Sequence, residues 1–259
     1  MQTSRLTPFG TRIEGVTLGR VSPPELTQIV RALVTTGVVV LPGQDDLDDD
    51  GFAAFLKRMG SPMTTAGEPV LEHHPTLNRV SNVGRTTPPR SVFHSDTSYA
   101  ALPPAFTALR AVEVPEAGGE TLFASGYDAF DRLPTALRDL VAGALVLHRA
   151  TGVEDATQTW HPLIRLHPMA ERPALFMSTP ERCVDLKLAD GSSRPDLIAE
   201  IFDHYTQADR LLRHGWQSGD VVIWDNRCTL HRADHSAVEG DRVLHRGMVA
   251  GEAPMLAAA

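Results

Sequence analysis

The fold is decided around Val221-Val222-Ile223-Trp224-Asp225-Asn226-Arg227-Cys228-Thr229-Leu230-His231, where an apolar run passes into a polar turn and then a histidine. β-Branched and aromatic residues followed at once by turn-forming residues predict a buried β-strand over 219–224. Asp225 and Asn226 are the predicted turn formers, because their side chains can hydrogen-bond nearby backbone groups. We expect the turn to hold the next strand, which carries His231, in place.

A second polar pattern lies far upstream, at His94-Ser95-Asp96. Side chains two residues apart on a β-strand project from the same face, so His94 and Asp96 can coordinate one ion if residues 92–97 form a strand. Alone, such a pair is more often an exposed polar face than a metal site. With His231 it completes two histidines and one carboxylate, the ligand set of non-haem iron(II) oxygenases. That set needs a later strand to return beside the first, as a β sandwich or barrel allows.

Two helices and a buried strand are predicted near the N-terminus. Apolar residues at helical spacing occupy 26–34, after the start signal Ser22-Pro23-Pro24 and before the stop signal Gly37. The run Val38–Leu41 predicts a buried strand. A second helical stripe at 52–59 follows an acidic run, which suits the positive end of a helix dipole.

Short strands and helices are interspersed over the rest of the chain. Residues 61–90 are rich in Thr, Pro, Gly and Asn, and we expect a long loop there. The same signals predict further strands at 105–114, 120–124 and 242–250, and further helices at 127–141, broken at Pro134, and at 195–205. Regular βαβ alternation is absent, which favours a β sandwich or barrel with flanking helices. We expect a single domain over residues 1–259.

Composition excludes several classes of protein. The 259 residues are 42% apolar and 22% charged, as in a globular chain with a sizeable core. A net charge of −8 attracts neither nucleic acid nor anionic lipid, so we expect neither as a partner. Cys183 and Cys228 lie far apart and lack C-x-x-C companions, which argues against a disulfide framework or a thiolate zinc site. Without a recognisable signal peptide or membrane span, the expected location is cytoplasmic.

Five segments spread along the chain are distinctive: Phe93-His94-Ser95-Asp96, Gly118-Gly119-Glu120-Thr121-Leu122-Phe123, His161-Pro162-Leu163-Ile164-Arg165-Leu166-His167-Pro168, Trp224-Asp225-Asn226-Arg227 and Arg242-Val243-Leu244-His245-Arg246. Together they resemble the taurine dioxygenase (TauD/TfdA-like) family of iron(II)- and 2-oxoglutarate-dependent dioxygenases. The resemblance implies a mainly β fold with flanking helices around a double-stranded β-helix (jelly roll, cupin-like) core. It also implies oxidation, normally hydroxylation, of a substrate C–H bond, with decarboxylation of 2-oxoglutarate to succinate and carbon dioxide.

The resemblance assigns roles to residues at matching positions. His94, Asp96 and His231 would hold iron(II) and leave coordination positions for 2-oxoglutarate and dioxygen. Thr121 and Arg242 would bind the distal carboxylate of 2-oxoglutarate. Arginine suits that role because its planar fork meets a carboxylate in two parallel hydrogen bonds and keeps its charge.

The small-molecule substrate is less constrained. Arg246 matches the arginine that meets the sulfonate in the taurine enzyme, so we predict that it anchors a small organic anion; a structural ion pair is the alternative. Arg90, Asn82 and Tyr99 are further candidates for lining the substrate pocket. An arginine in a proline-rich loop such as Arg90 is more often solvated, and Asn82 and Tyr99 are equally easily a turn residue and a core aromatic. Residues 63–67 lack the histidine and tyrosine that bind taurine in the taurine enzyme. The expected substrate is therefore larger or less polar than taurine.

Two alternatives to a dioxygenase stay open. A zinc hydrolase can use the same three ligands, although the chain lacks the H-E-x-x-H helix that such enzymes usually carry. A non-catalytic jelly-roll protein that binds a small molecule would not need Thr121, Arg242 and the full triad together. The oligomeric state, monomer or homo-oligomer, is also open.

Overall fold

The structure is a computed structural model that describes residues 1–65, 67–85, 91–151 and 157–257. The helices in this part of the chain are α1 Pro23–Thr36, α2 Asp49–Met59, α3 Gly126–Asp131, α4 Thr135–Leu140 and α5 Leu197–Tyr205. The strands are β1 Gln2–Arg5, β2 Thr11–Glu14, β3 Val38–Leu41, β4 Pro62–Met63, β5 Val70–Leu71, β6 His74–Ser81, β7 Pro104–Glu113, β8 Thr121–Ser125, β9 Leu145–Arg149, β10 Gln158–Pro162, β11 Ile164–His167, β12 Arg172–Leu175, β13 Cys183–Lys187, β14 Leu212–His214, β15 Val221–Asp225, β16 Thr229–Ala233, β17 Val243–Ala250 and β18 Met255–Leu256.

The core is built from a large sheet and a small one. The large sheet has the order β1-β2-β3-β15-β7-β17-β6-β5, with β4 also paired to β17. The small sheet has the order β14-β8-β16 and is antiparallel. Apolar side chains from both sheets meet in one buried cluster, which includes Val40, Leu109, Phe123, Trp224 and Leu244. The protein thus has the mainly β, jelly-roll-type core that the sequence predicted.

The N-terminal helices cover the outer face of the large sheet. Val39 and Leu41 of β3 pack with α1 and α2, whereas Val38 and Val40 point into the space between the sheets. A strand covered on both faces is continuously apolar, which explains the sequence of β3. Helix α1 starts at a capping box between Ser22 and Glu25, as the start signal predicted.

Two local predictions are wrong. Residues 92–97 do not form a strand; an isolated bridge pairs His94 with His231, and Thr97 has a φ of 43°. The predicted loop over 61–90 contains β4, β5 and the eight-residue β6 in its described part. Strand β6 escaped detection because its buried residues, Leu77 and Asn78, are adjacent and give no apolar–polar alternation. Its antiparallel pairing with β17 holds these residues in the sheet.

The helix interruption at Pro134 is confirmed, since α3 ends before it and α4 begins after it. Among the described residues, no helix combines the length and apolar character needed to cross a membrane.

Candidate active site and metal centre

His94, Asp96 and His231 converge at β16, an edge strand of the small sheet. One potential ligand atom from each lies within 4.8 Å of the other two. Nε2 of His94 and Nε2 of His231 are 3.7 and 3.8 Å from Oδ1 of Asp96. The backbones of the two histidines exchange two N–H···O hydrogen bonds of 3.0 Å, which tie the upstream segment to β16. This long-range pairing brings His94 and His231 together in the His-Asp-His metal site.

Hydrogen bonds leave the ion-facing atoms of the triad available. Nδ1 of His94 lies 2.9 Å from the carbonyl oxygen of Val92, so Nε2 keeps its lone pair for an ion. Oδ2 of Asp96 accepts a 2.7 Å hydrogen bond from the Thr107 hydroxyl, so Oδ1 faces the histidines. Two imidazole nitrogens and one carboxylate oxygen, on one side of an ion, fit a divalent transition metal.

The electrostatics of the triad favour the protonation state that a metal site needs. Burial opposes charge on Asp96, yet its electrostatic interactions with His231 and Arg246 lower its pKa to about 2. Burial lowers the pKa of His231 to about 3 and also lowers the pKa of His94. At neutral pH the site therefore holds one carboxylate and two neutral imidazoles, which is the state that binds metal ions.

Arg242 and Thr121 form a second polar group near the triad. Arg242 donates from Nε to the Gly119 carbonyl at 2.9 Å and from Nη2 to the Thr121 hydroxyl at 3.3 Å. Gly119 has a φ of +72°, and a Cβ there would lie 3.0 Å from Cδ of Arg242, so glycine is needed. Burial lowers the pKa of Arg242 to about 10, and no carboxylate in the described ranges pairs with it. A buried cation without an anion fits a site for a ligand carboxylate.

Strand register places this group on the same side of the small sheet as the triad. His231 lies opposite Phe123, and Thr121 lies opposite Ala233, so Thr121 and His231 share a face. The Phe123 and His231 rings confirm it, because they stack with centroids 6.5 Å apart. The two positions are one two-residue step apart, or about 7 Å along the strands. A short dicarboxylate can span that separation.

Three supporting residues were not predicted for the site. Asn226, predicted as a turn former, also donates from Nδ2 to the Thr107 hydroxyl at 2.8 Å, and Thr107 in turn binds Asp96. Trp216 donates from its indole to the Thr121 hydroxyl at 3.0 Å. No local signal identifies these contacts, because each joins residues far apart in sequence.

Arg246 faces the triad and also has an acidic partner. Its Nη1 lies 3.9 Å from Oδ1 of Asp96, while Nη2 contacts the carboxylate of Glu68 and lies 3.4 Å from Oδ1 of Asn78. Its position beside the triad is compatible with the predicted substrate anchor, and its contact with Glu68 matches the ion-pair alternative. The anchoring role stays a prediction.

The other predicted substrate residues differ in placement. Asn82 hydrogen-bonds backbone groups, including the N–H of Arg242 at 2.8 Å, so it supports the Arg242 segment. The ring of Tyr99 lies 5.7 Å from the guanidinium carbon of Arg182 and is half-buried. Arg90 lies outside the described residues. Substrate contacts for all three stay predictions.

A second group with metal-ligand side chains consists of His167, Asp225 and Cys228. Both ring nitrogens of His167 are already engaged, Nε2 with Asp225 at 2.9 Å and Nδ1 with two backbone N–H groups. Arg227 binds both oxygens of the Asp225 carboxylate, at 2.8 and 2.7 Å. Burial raises the pKa of the Cys228 thiol, which disfavours the thiolate that binds metal. This group is therefore structural.

Comparisons with known proteins agree with the site. The chain is 29% identical over 95% of its length to an alpha-ketoglutarate-dependent sulfate ester dioxygenase of Pseudomonas putida, of which it covers 88%. It is 26% identical to a (S)-phenoxypropionate/alpha-ketoglutarate-dioxygenase of Delftia acidovorans, with 97% of each chain covered. A crystal structure of a taurine dioxygenase from Burkholderia xenovorans superposes with a TM-score of 0.84 at 30% identity, covering 98% of this chain and 92% of that one.

The family model described as "Taurine catabolism dioxygenase TauD, TfdA family" matches residues 2–248. That span includes both sheets, the triad and the Thr121–Arg242 group. The chain therefore belongs to the TauD, TfdA family of dioxygenases.

Proposed function

We propose that this protein is an iron(II)- and 2-oxoglutarate-dependent dioxygenase that oxidises a C–H bond of a small organic anion, with residues 1–259 acting as one domain. The observation that carries the proposal is Arg242, a buried guanidinium without a carboxylate partner, beside a His-Asp-His site on the same face of the sheet. Family membership supports an enzyme over a non-catalytic binder, and the alpha-ketoglutarate dependence of named relatives supports a dioxygenase over a zinc hydrolase.

Each group in the site has a task in this reaction. His94, Asp96 and His231 would hold iron(II), which when bound couples 2-oxoglutarate decarboxylation to substrate oxidation by dioxygen. Arg242 and Thr121 orient the cosubstrate by its distal carboxylate. The fully buried indole of Trp224 packs against the His231 ring at 4.3 Å, which keeps water from that side of the site.

The substrate class follows from Arg246 and from the relatives. Arg246 is a cation whose Nη1 lies 3.9 Å from the carboxylate of Asp96, so it borders the space that a substrate would use. The relatives described above are named for a sulfate ester, (S)-phenoxypropionate and taurine, each of which carries an acidic group. A sulfonate, sulfate ester or carboxylate is the proposed substrate.

The test is succinate formation from 2-oxoglutarate, with iron(II) and oxygen, across a panel of sulfonates, sulfate esters, aryloxy acids and cationic amines. We expect an anionic compound to stimulate turnover most. His94→Ala, Asp96→Ala and His231→Ala should each abolish it, because two protein ligands do not hold the metal in its productive geometry. His73→Ala, at an exposed histidine, is the matched control and should keep full activity.

Anaerobic spectra give an independent measurement. Iron(II) and 2-oxoglutarate together should produce a visible charge-transfer band in the native protein, and each triad variant should weaken it. A band that survives both His94→Ala and His231→Ala would falsify the metal site. A best substrate that is neutral or cationic would instead remove the proposed role of Arg246.

A further inference from the structure

The hydroxyl of Thr121 has an unusual hydrogen-bond pattern. Its oxygen accepts from the indole Nε1–H of Trp216 at 3.0 Å and from Nη2 of Arg242 at 3.3 Å. A hydroxyl oxygen has two acceptor positions and one hydrogen to donate. Both acceptor positions are thus filled, and no acceptor for the hydrogen is found in the described part of the chain. The Thr121 hydrogen is therefore available to an acceptor that enters the site.

Trp216 is held so that its indole nitrogen cannot easily turn away. It follows the last residue of β14 by two positions, is 7% exposed and belongs to the buried cluster between the sheets. Its ring packs edge-on against His214, with centroids 4.8 Å apart. The guanidinium carbon of Arg242 lies 5.8 Å from the same ring, within the range of a cation–π contact. One side chain therefore contacts both members of the Thr121–Arg242 pair.

We propose that Trp216 is a positioning residue that makes Thr121 an obligate hydrogen-bond donor toward the distal carboxylate of 2-oxoglutarate. The inference rests on the proposed function and deepens it by assigning how the site distinguishes a dicarboxylate from a 2-oxo monocarboxylate. Without the indole donor, the Thr121 hydroxyl is free to rotate and to accept a hydrogen bond in place of donating one. A carboxylate then meets a donor that is no longer held in orientation, whereas a methyl group at the same position loses nothing.

The experiment is a double-mutant cycle read by ligand binding. Manganese(II)-loaded protein is titrated calorimetrically with 2-oxoglutarate and with 2-oxopentanoate, which has a methyl group in place of the distal carboxylate. Trp216→Phe removes the indole donor and keeps an aromatic ring, while Thr121→Val removes the hydroxyl. Each should weaken 2-oxoglutarate binding by about tenfold, the effect of one hydrogen bond to a charged group. The double variant should bind about as weakly as Thr121→Val alone, and 2-oxopentanoate affinity should stay constant.

Two results overturn the inference. If the losses from Trp216→Phe and Thr121→Val multiply, the tryptophan acts independently of the hydroxyl. If Trp216→Phe weakens the binding of both keto acids equally, the indole contributes only packing to the site. Thr121→Ser, which keeps the hydroxyl, is the rescue control and should retain the preference for 2-oxoglutarate.

Failure of the proposed function gives a different pattern. Native protein that does not bind 2-oxoglutarate, or that binds it equally well after Arg242→Gln, would overturn the cosubstrate site itself. Arg242-dependent binding that is unaffected by Trp216→Phe overturns only the role of Trp216.

A second measurement applies if Trp216→Phe does not fold. The indole ¹H–¹⁵N resonance of Trp216, assigned through contacts with His214, should shift in Thr121→Val. In the native protein it should shift on addition of 2-oxoglutarate and stay in place with 2-oxopentanoate. An indole signal that is unchanged in Thr121→Val overturns the inference.

Discussion

Thr107 fixes the orientation of the single carboxylate in the metal site. It is fully buried, donates to Oδ2 of Asp96 at 2.7 Å and accepts from Asn226 at 2.8 Å. A carboxylate held by one oxygen presents the other to an ion, and such supporting contacts commonly change metal affinity by about 10- to 100-fold. The hydrogen bonds that run from Asn226 through Thr107 to Asp96 thus determine which oxygen of Asp96 faces the metal.

Thr107→Val should therefore weaken manganese(II) binding by about tenfold or more, because Asp96 is left free to rotate. Titration of the metal-free protein measures this directly. Thr229→Val is the matched control, since Thr229 is a buried threonine whose hydroxyl donates to the Gly37 carbonyl and makes no hydrogen bond to Asp96. Both variants should lose some stability, but only Thr107→Val should lose metal affinity. Equal metal affinities in the two variants would contradict the role of Thr107.

At the scale of elements, the segment between β4 and β5 brings a negative charge to Arg246, the proposed substrate anchor. Glu68 lies in this segment and pairs with Arg246, which borders the triad. The Thr65 hydroxyl also lies 3.1 Å from the Thr97 hydroxyl, so the segment contacts the chain just after the metal ligand Asp96. An anionic substrate that uses Arg246 must compete with Glu68 for it.

Replacing Glu68 with Gln should lower the KM of the best anionic substrate by about two- to fivefold, the value of a partly exposed ion pair. The KM for 2-oxoglutarate should not change, because Arg242 and Thr121, the residues that we propose bind it, do not contact Glu68. Steady-state kinetics with the substrate found in the panel measure both constants. Glu72→Gln, at an exposed residue of the same region, is the control. A higher substrate KM in Glu68→Gln would mean that Glu68 helps to bind the substrate.

Local sequence signals predicted the elements better than they predicted their contacts. Helix α1 and strand β3 followed from periodicity and capping residues that are adjacent in sequence. The His94-Ser95-Asp96 motif predicted a pair of side chains that do converge with His231, but for a reason that is wrong, because residues 92–97 are not a strand. The ligands are brought together by long-range contacts, the backbone pairing of His94 with His231 and the hydrogen bond of Thr107 to Asp96. Contacts such as Trp216 with Thr121 depend on sheet packing, which short-range patterns do not encode.

For the whole molecule, a buried charge network joins the large sheet to the segment after β17. Asp225 at the end of β15 binds Arg227 through both oxygens and accepts from His167 of β11. Glu252 then pairs with Arg165 at 2.9 Å and with Arg227 at 3.5 Å. Asp225 is fully buried, so its charge is tolerated only because these partners are present.

Asp225→Asn should lower the free energy of unfolding at pH 7 by about 3 to 5 kcal/mol, since buried Arg227 would keep only its longer contact with the partly exposed Glu252 as a counter-charge. Burial opposes ionisation of Asp225, yet Arg227 and His167 hold its pKa below the ordinary value. A depressed pKa stabilises the fold above the unfolded value of about 4, and that stability is lost as pH falls. Below pH 4, stability should thus fall less steeply in Asp225→Asn than in the native protein.

Urea unfolding between pH 7 and 2.5 measures both effects, with exposed Asp46→Asn as the control. Parallel pH profiles for native protein and Asp225→Asn would show that other carboxylates govern acid unfolding.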